Sequence, residues 1–169
     1  MSVLWKGNIV KKDKTKSARS KGVIGKNAII PRIIPVLLKD VENPFNILDF
    51  GCGKDMIHVM ELQKQGFNVS GYDINLPGTE RFLKQTYDIV YLSNVINVQS
   101  SKEELDEIFD LVWNCLHPVL GIGIANYPNK PRYLGWTVKE MEDYLKTRFL
   151  SVIRVEKEIA GNNVIWVMR

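Results

Sequence analysis

Residues 45–66 read FNILDFGCGKDMIHVMELQKQG, and this stretch changes character twice. The run FNILDF (Phe45 to Phe50) is apolar on both faces, which predicts a strand buried on both sides. Gly51-Cys52-Gly53 ends it. The segment DMIHVMELQKQG then shows the apolar period of a helix, closed by Gly66. A buried strand that turns on glycines into a helix opens a strand-helix-strand unit, so a parallel sheet with helices on its faces is expected.

The same alternation continues outward on the C-terminal side. FNVSGYDI (Phe67 to Ile74) and YDIVYLSNVINV (Tyr87 to Val98) are predicted strands. SSKEELDEIFDLVWNCLHP is an amphipathic helix with Ser101 and Glu104 spaced as a capping box. LGIGIANY (Leu120 to Tyr127) is a fourth strand, and TVKEMEDYLKTRF is a helix opened by a second capping box, Thr137 with Glu140. The end, FLSVIRVEKEIAGNNVIWVMR, is two β-rich runs joined through Gly161-Asn162-Asn163, a hairpin. A mostly parallel sheet with an antiparallel C-terminal hairpin strand follows. On the N-terminal side Asn43-Pro44 marks a turn. The run NAIIPRIIPVLLKD from Asn27 reads as a short or kinked helix, since Pro31 and Pro35 interrupt it. There is no internal repeat, so the organisation expected is a basic, partly irregular arm over residues 1–26 and one domain over 27–169.

Charge separates those two parts. Residues 1–32 carry nine basic side chains against the single acid Asp13, a balance of +8 that leaves −4 on the rest of a chain totalling +4. A basic arm on a mildly acidic body fits a polyanion such as DNA or RNA; a solvated tail is the plainer alternative. At 45% hydrophobic and 25% charged residues the composition is that of an ordinary globular domain. No apolar run approaches a membrane span, and the N-terminal order, apolar then lysine-rich, is the reverse of a secretory signal, so a cytoplasmic protein without membrane contact is expected. Cys52 and Cys115 stand far apart and outside any metal-ligand spacing, and the histidines are His58 and His117 alone, so no metal site is expected. Oligomeric state leaves no mark in the sequence.

A glycine turn after the first strand places a ligand at the carboxyl edge of the sheet, where strand order reverses. A dinucleotide site wants a third glycine three residues after the second, and Met56 stands there. Asp49 before the turn and Asp55 after it would repel phosphate; both suit a ligand bearing a sulfonium and an ammonium. Asp73 ends the second strand, 20 residues after Gly53, where a carboxylate can accept both hydroxyls of a ribose.

Together, ILDFGCGKD, VSGYDI and YDIVYLSNVINV resemble the first, second and fourth motifs of class I S-adenosylmethionine-dependent methyltransferases, over roughly residues 45–169. The resemblance implies an α/β, Rossmann-like three-layer sandwich and S-adenosyl-L-methionine as cofactor. By position it implies that Asp49, Gly51 and Gly53 line the methionine end, that Asp73 holds the ribose, and that Asn94 faces the methyl group; Cys52 and Asp55, on the same turn, are further cofactor-binding candidates. Fewer residues than usual separate Asp73 from the YDIV strand. That compactness is similar to methyltransferase-like proteins associated with DNA phosphorothioation and to related phage proteins. LPGTERFLKQT is too short for the helix and strand that larger members place there, so Ile74, Asn75 and Leu76 become the candidates for packing the adenine.

The acceptor side is less marked. Ser93-Asn94-Val95-Ile96 lacks the paired prolines of the usual exocyclic-amine motif, and Cys115 reads as helix core rather than as a carbon-5 nucleophile. Asn94 and Asn97 could orient an amine through their carbonyl oxygens, and Tyr91 or Tyr127 could stack on a base, with core packing as the alternative for Tyr91. YPNKPRYLGW brings Tyr127, Lys130, Arg132, Tyr133 and Trp136 to a loop at the carboxyl edge of the sheet, a candidate substrate lid. His58 reads as a core or surface histidine. The expectation is a methyltransferase acting on nucleic acid. The alternatives are a small-molecule or protein acceptor, or a silent cofactor-binding partner protein.

Overall fold

The computed structural model describes residues 33–36, 38–39, 45–128, 133–159 and 162–169. The basic arm and most of the proline-interrupted run after it therefore lie outside the described residues. A helical turn at 33–36 belongs to that run, and its Ile34 is fully buried.

In chain order the elements are β1 (Asn46–Phe50), α1 (Ile57–Lys64), β2 (Asn68–Tyr72), a 3-10 turn (Glu80–Lys84), β3 (Ile89–Leu92), a second 3-10 turn (Ile96–Val98), α2 (Lys102–Cys115), β4 (Ile122–Pro128), α3 (Val138–Lys146), β5 (Ser151–Ile159) and β6 (Asn162–Met168). They form one six-stranded sheet of order β2-β1-β3-β4-β6-β5. β1, β2, β3 and β4 pair in parallel, and β6 runs antiparallel to both β4 and β5. The expected hairpin strand is thus the one that opposes the rest. Order reverses between β1 and β3, whose carboxyl ends lie side by side.

Both faces of the sheet are covered, which is why β3 is buried at every residue. On one face Leu48, Phe50, Val90, Leu92 and Tyr127 pack under Leu105, Phe109 and Val112 of α2 and Met141 and Leu145 of α3. Those helix positions recur every three to four residues, the spacing of one face. On the other face Ile47, Ile89, Tyr91 and Ile124 meet Val59 and Leu62 of α1 together with Ile34.

Two element ends depart from the sequence expectation for one physical reason. Helix α1 begins at Ile57 rather than near Asp55, because Met56 takes a left-handed backbone with φ 49°. β3 stops at Leu92, well short of Val98, because Asn94 is left-handed as well, with φ 60°. No β-strand can pass through that region of backbone space. Gly66 closes α1 as expected. Its φ is 91°, its N–H donates to the Gln63 carbonyl at 3.0 Å, and the Phe67 N–H reaches the Leu62 carbonyl at 3.1 Å, the bonding pattern of a Schellman cap. Between Asp73 and Tyr87 there is a 3-10 turn and no strand, so β2 is an edge of the sheet. Among the described residues no helix is long and apolar enough to cross a membrane.

Candidate functional site

Three chain turns converge at the carboxyl ends of β1, β2 and β3. The first is Gly51-Cys52-Gly53. Gly51 has φ +90°, and a β-carbon there would sit 2.4 Å from Val95 Cγ2, so both conformation and space demand glycine. The N–H groups of Gly51 and Cys52 both donate to the Tyr72 carbonyl, at 2.7 and 3.0 Å, locking the turn onto the end of β2. Gly53, with φ +69°, donates its N–H to Asp73 Oδ2 at 3.0 Å.

Asp73 is the knot of the second turn. Its other oxygen accepts the Asn75 N–H at 2.8 Å, and its own N–H donates to the Thr79 hydroxyl at 3.3 Å. Each carboxylate oxygen has taken one backbone donor and keeps a further lone pair. Ile74 packs toward one core and Leu76 toward the other, and the side-chain Oδ1 of Asn75 is buried without a hydrogen-bond partner.

Asp49 lies beneath the glycine turn, fully buried, with neither carboxylate oxygen hydrogen-bonded. Burial pushes its carboxyl up to about 7; the Tyr91 hydroxyl on the adjacent strand works against that shift, and the charge of Asp73 adds to it. His58 Nδ1 lies 3.9 Å from Asp49 Oδ2, too far for a hydrogen bond. Tyr91 faces Asp49 in register across β1 and β3, and its enclosed hydroxyl comes near enough to that carboxyl to favour the charged form without meeting the geometry of a hydrogen bond. A buried carboxylate without hydrogen bonds is costly, and a cationic ligand group is the partner that would relieve it.

Cys52 is buried, and its thiol is pushed up to about 12 by burial first and then by the charges of Asp49 and Asp73, so it stays protonated and lines the turn. Cys115 is core at the end of α2, its thiol raised to about 11 by burial. Asp55 is exposed on the turn ahead of α1.

The third turn follows β3. The left-handed Asn94 donates its backbone N–H to Asn126 Oδ1 at 2.6 Å, and Asn126 Nδ2 donates to Asn94 Oδ1 at 2.9 Å. Asn126, near the end of β4, is buried. Asn97 lies in the following 3-10 turn with its side-chain oxygen enclosed and unpartnered. Neither amide turns a free carbonyl outward in the way expected for orienting an amine.

The lid expectation needs a correction at Tyr127. β4 runs on to Pro128, so Tyr127 alternates into the core, is 0% exposed, and donates its hydroxyl to the Trp136 carbonyl at 2.9 Å. It anchors the loop and offers no face to a base. Tyr91, at 0% exposed, is core for the same reason. Tyr133 is exposed, whereas Trp136 packs on Tyr144 with ring centroids 5.3 Å apart. Lys130 and Arg132 lie outside the described residues.

The fold thus brings together Asp49, Gly51, Cys52, Gly53, Asp73, Ile74 and Asn94. Sequence reasoning missed Asn126, Thr79 and Val95. Asn126 had one signal, a lone amide inside the apolar run IGIANY.

Comparison with known proteins agrees with the fold. A family model described as a methyltransferase domain matches residues 24–116. No curated protein sequence matches the chain. Among solved structures, the chain resembles an S-adenosylmethionine-dependent methyltransferase from Bacteroides fragilis in complex with S-adenosyl-L-homocysteine (TM-score 0.57, 13% identity, 83% of this chain and 78% of that one). It also resembles magnesium protoporphyrin IX methyltransferase from Synechocystis with bound S-adenosylmethionine (TM-score 0.56, 13% identity, 82% and 77%). A third is 1,6-didemethyltoxoflavin-N1-methyltransferase from Burkholderia thailandensis (TM-score 0.57, 16% identity, 81% and 75%). At these identities the likeness is one of fold.

Proposed function

The chain belongs to the methyltransferase-domain family, and from that premise we propose that it transfers a methyl group from S-adenosylmethionine to a nucleic acid. The observation that carries the cofactor reading is the buried Asp49 carboxylate, with neither oxygen hydrogen-bonded, directly beneath a glycine turn tied to Asp73. Two carboxylates flanking the turn disfavour a pyrophosphate and suit a nucleoside with a cationic tail.

The residues present fit that group. Asp49 would meet the cationic end, the Gly51 and Gly53 backbone would lie against it, and Asp73 would accept the ribose hydroxyls on its remaining lone pairs. Ile74, Asn75 and Leu76, in the short connection after β2, would meet the adenine through apolar packing and backbone contacts. When bound, S-adenosylmethionine supplies a methyl group made electrophilic by its sulfonium. The chain's own part is to align an acceptor from the Asn94 side and to exclude water.

Nucleic acid as acceptor is supported by the +8 balance over residues 1–32. The compact connection after β2 is in keeping with a place among the proteins associated with DNA phosphorothioation. A small-molecule acceptor is favoured instead by the burial of Tyr127, which leaves Tyr133 as the exposed aromatic among the described loop residues.

Calorimetric titration with S-adenosylhomocysteine tests the cofactor reading. Asp73→Ala should weaken binding by roughly ten- to a hundredfold, the value of charge-assisted hydrogen bonds, and thermal melts confirm that the variant is folded. Equal affinity in the two proteins would remove Asp73 from the ribose, and no binding to wild type would remove the cofactor.

A further inference from the structure

Resting on the methyl-transfer reading above, we infer that Asn126 is a positioning residue: it turns Asn94 so that the transfer site meets its acceptor with a hydrogen-bond donor, which fits an oxygen nucleophile rather than an amine.

The argument runs through donors and acceptors alone. A backbone N–H can only donate, so the Asn126 atom 2.6 Å from the Asn94 nitrogen is its carbonyl oxygen. That choice places Asn126 Nδ2 against the Asn94 side chain at 2.9 Å, and the atom it meets there must accept, so it is Asn94 Oδ1. With its carbonyl turned in, Asn94 has its NH2 on the opposite edge of the same planar group. Among the described residues that NH2 has no protein partner, and it is not one of the enclosed, unsatisfied atoms of the core. Asn126 can hold this arrangement because it is buried near the end of β4 while β3 and β4 are in register at Leu92 and Ala125. The left-handed backbone at Asn94, φ 60°, is one that asparagine tolerates better than most side chains.

An amine is poorly served by such a site. Its single lone pair must form the new bond, so a donor aimed at it competes with the reaction, while its own hydrogens need acceptors. Asn94 Oδ1 lies on the edge turned toward Asn126, away from the NH2, and Asn97 Oδ1 is sealed away. An oxygen has lone pairs for both purposes. One accepts from the Asn94 NH2; another bonds the methyl carbon as the carbon–sulfur bond breaks, with its electron pair passing to sulfur. A carboxylate or phenolate has no proton to lose, and a hydroxyl keeps its proton through the transfer and gives it up when the methylated product meets solvent.

Asn126→Asp inverts the polarity. An aspartate accepts the Asn94 N–H but cannot donate, so Asn94 must turn its NH2 inward and its carbonyl outward. Side-chain amide exchange, followed by NMR with S-adenosylhomocysteine bound, should show the Asn94 NH2 exchanging freely in wild type and about tenfold or more slowly in the variant. A protected Asn94 NH2 in wild type, or equal exchange in the two proteins, overturns the inference. Product chemistry is the second measurement and needs no variant. Methyl label transferred from S-adenosylmethionine into cell extract should be recovered on oxygen, nuclease-sensitive if the source is a ribose hydroxyl and nuclease-resistant if it is a small molecule. Label on nitrogen overturns the inference. Failure of S-adenosylhomocysteine to bind removes the cofactor reading instead, and leaves the orientation of the two amides to be judged by exchange in the free protein.

Discussion

At Asp49 the chain keeps a carboxylate where the folded protein alone gives neither oxygen a hydrogen bond. Its carboxyl is raised from 3.8 to about 7, so the fold prefers the neutral form. For an acid raised on folding, stability is full below the unfolded value and is lost as pH climbs through the folded one. The contribution of Asp49 should therefore lower the melting temperature of the free protein progressively between about pH 4 and pH 7.5, read as the difference from Asp49→Asn. A cationic ligand that pairs with the ionised form reverses the penalty. The upward shift in melting temperature on adding S-adenosylmethionine should be larger at pH 8 than at pH 6, and Asp49→Asn should flatten that difference. A ligand shift independent of pH would detach Asp49 from the cofactor. Gly51 carries a second prediction at this scale. Gly51→Ala meets both a φ of +90° and a contact of 2.4 Å with Val95, so it should cost roughly 2–4 kcal/mol in urea unfolding. Gly53→Ala, where a β-carbon meets nothing within 4 Å, should cost less.

Among the elements, α3 shows what local spacing can specify. Thr137 accepts the Glu140 N–H at 3.2 Å while the Glu140 carboxylate takes the Thr137 N–H at 2.7 Å, the capping box that the sequence spells out. Thr137→Ala should lower stability by about 1 kcal/mol, read as a fall in urea midpoint with unchanged slope. α2 carries the same spacing but forms half of it. Ser101 accepts the Glu104 N–H, yet the Glu104 carboxylate goes to the N–H and hydroxyl of Ser100. Strand, glycine turn and helix were legible because burial leaves a period in the sequence. The left-handed residues Met56 and Asn94 were not, since apolar pattern carries no information on the sign of φ. Asn126 was beyond reach for another reason. Its partner lies 32 residues away, and their meeting depends on sheet register between strand ends. Tyr127 closed the expected strand and opened the expected loop; because β4 runs on to Pro128, strand alternation decides its direction and turns it into the core.

For the molecule as a whole, the separation of charge along the chain sets the terms for any polyanion. A body at −4 repels nucleic acid at long range, so the proposed acceptor has to be captured by the +8 of residues 1–32 and brought past an acidic cofactor turn. Capture of that kind proceeds by counterion release, and its strength falls linearly in log affinity against log salt. Replacing Lys11, Lys12, Lys14 and Lys16 by glutamine should reduce the slope of that plot by roughly three to four for duplex or single strand, with S-adenosylhomocysteine affinity unchanged. Fluorescence anisotropy of a labelled oligonucleotide across a salt series gives the slope directly. A slope untouched by the four substitutions would mean that the arm makes no phosphate contact. The acceptor would then be sought among small molecules, with the cofactor site and the Asn94 arrangement unaffected.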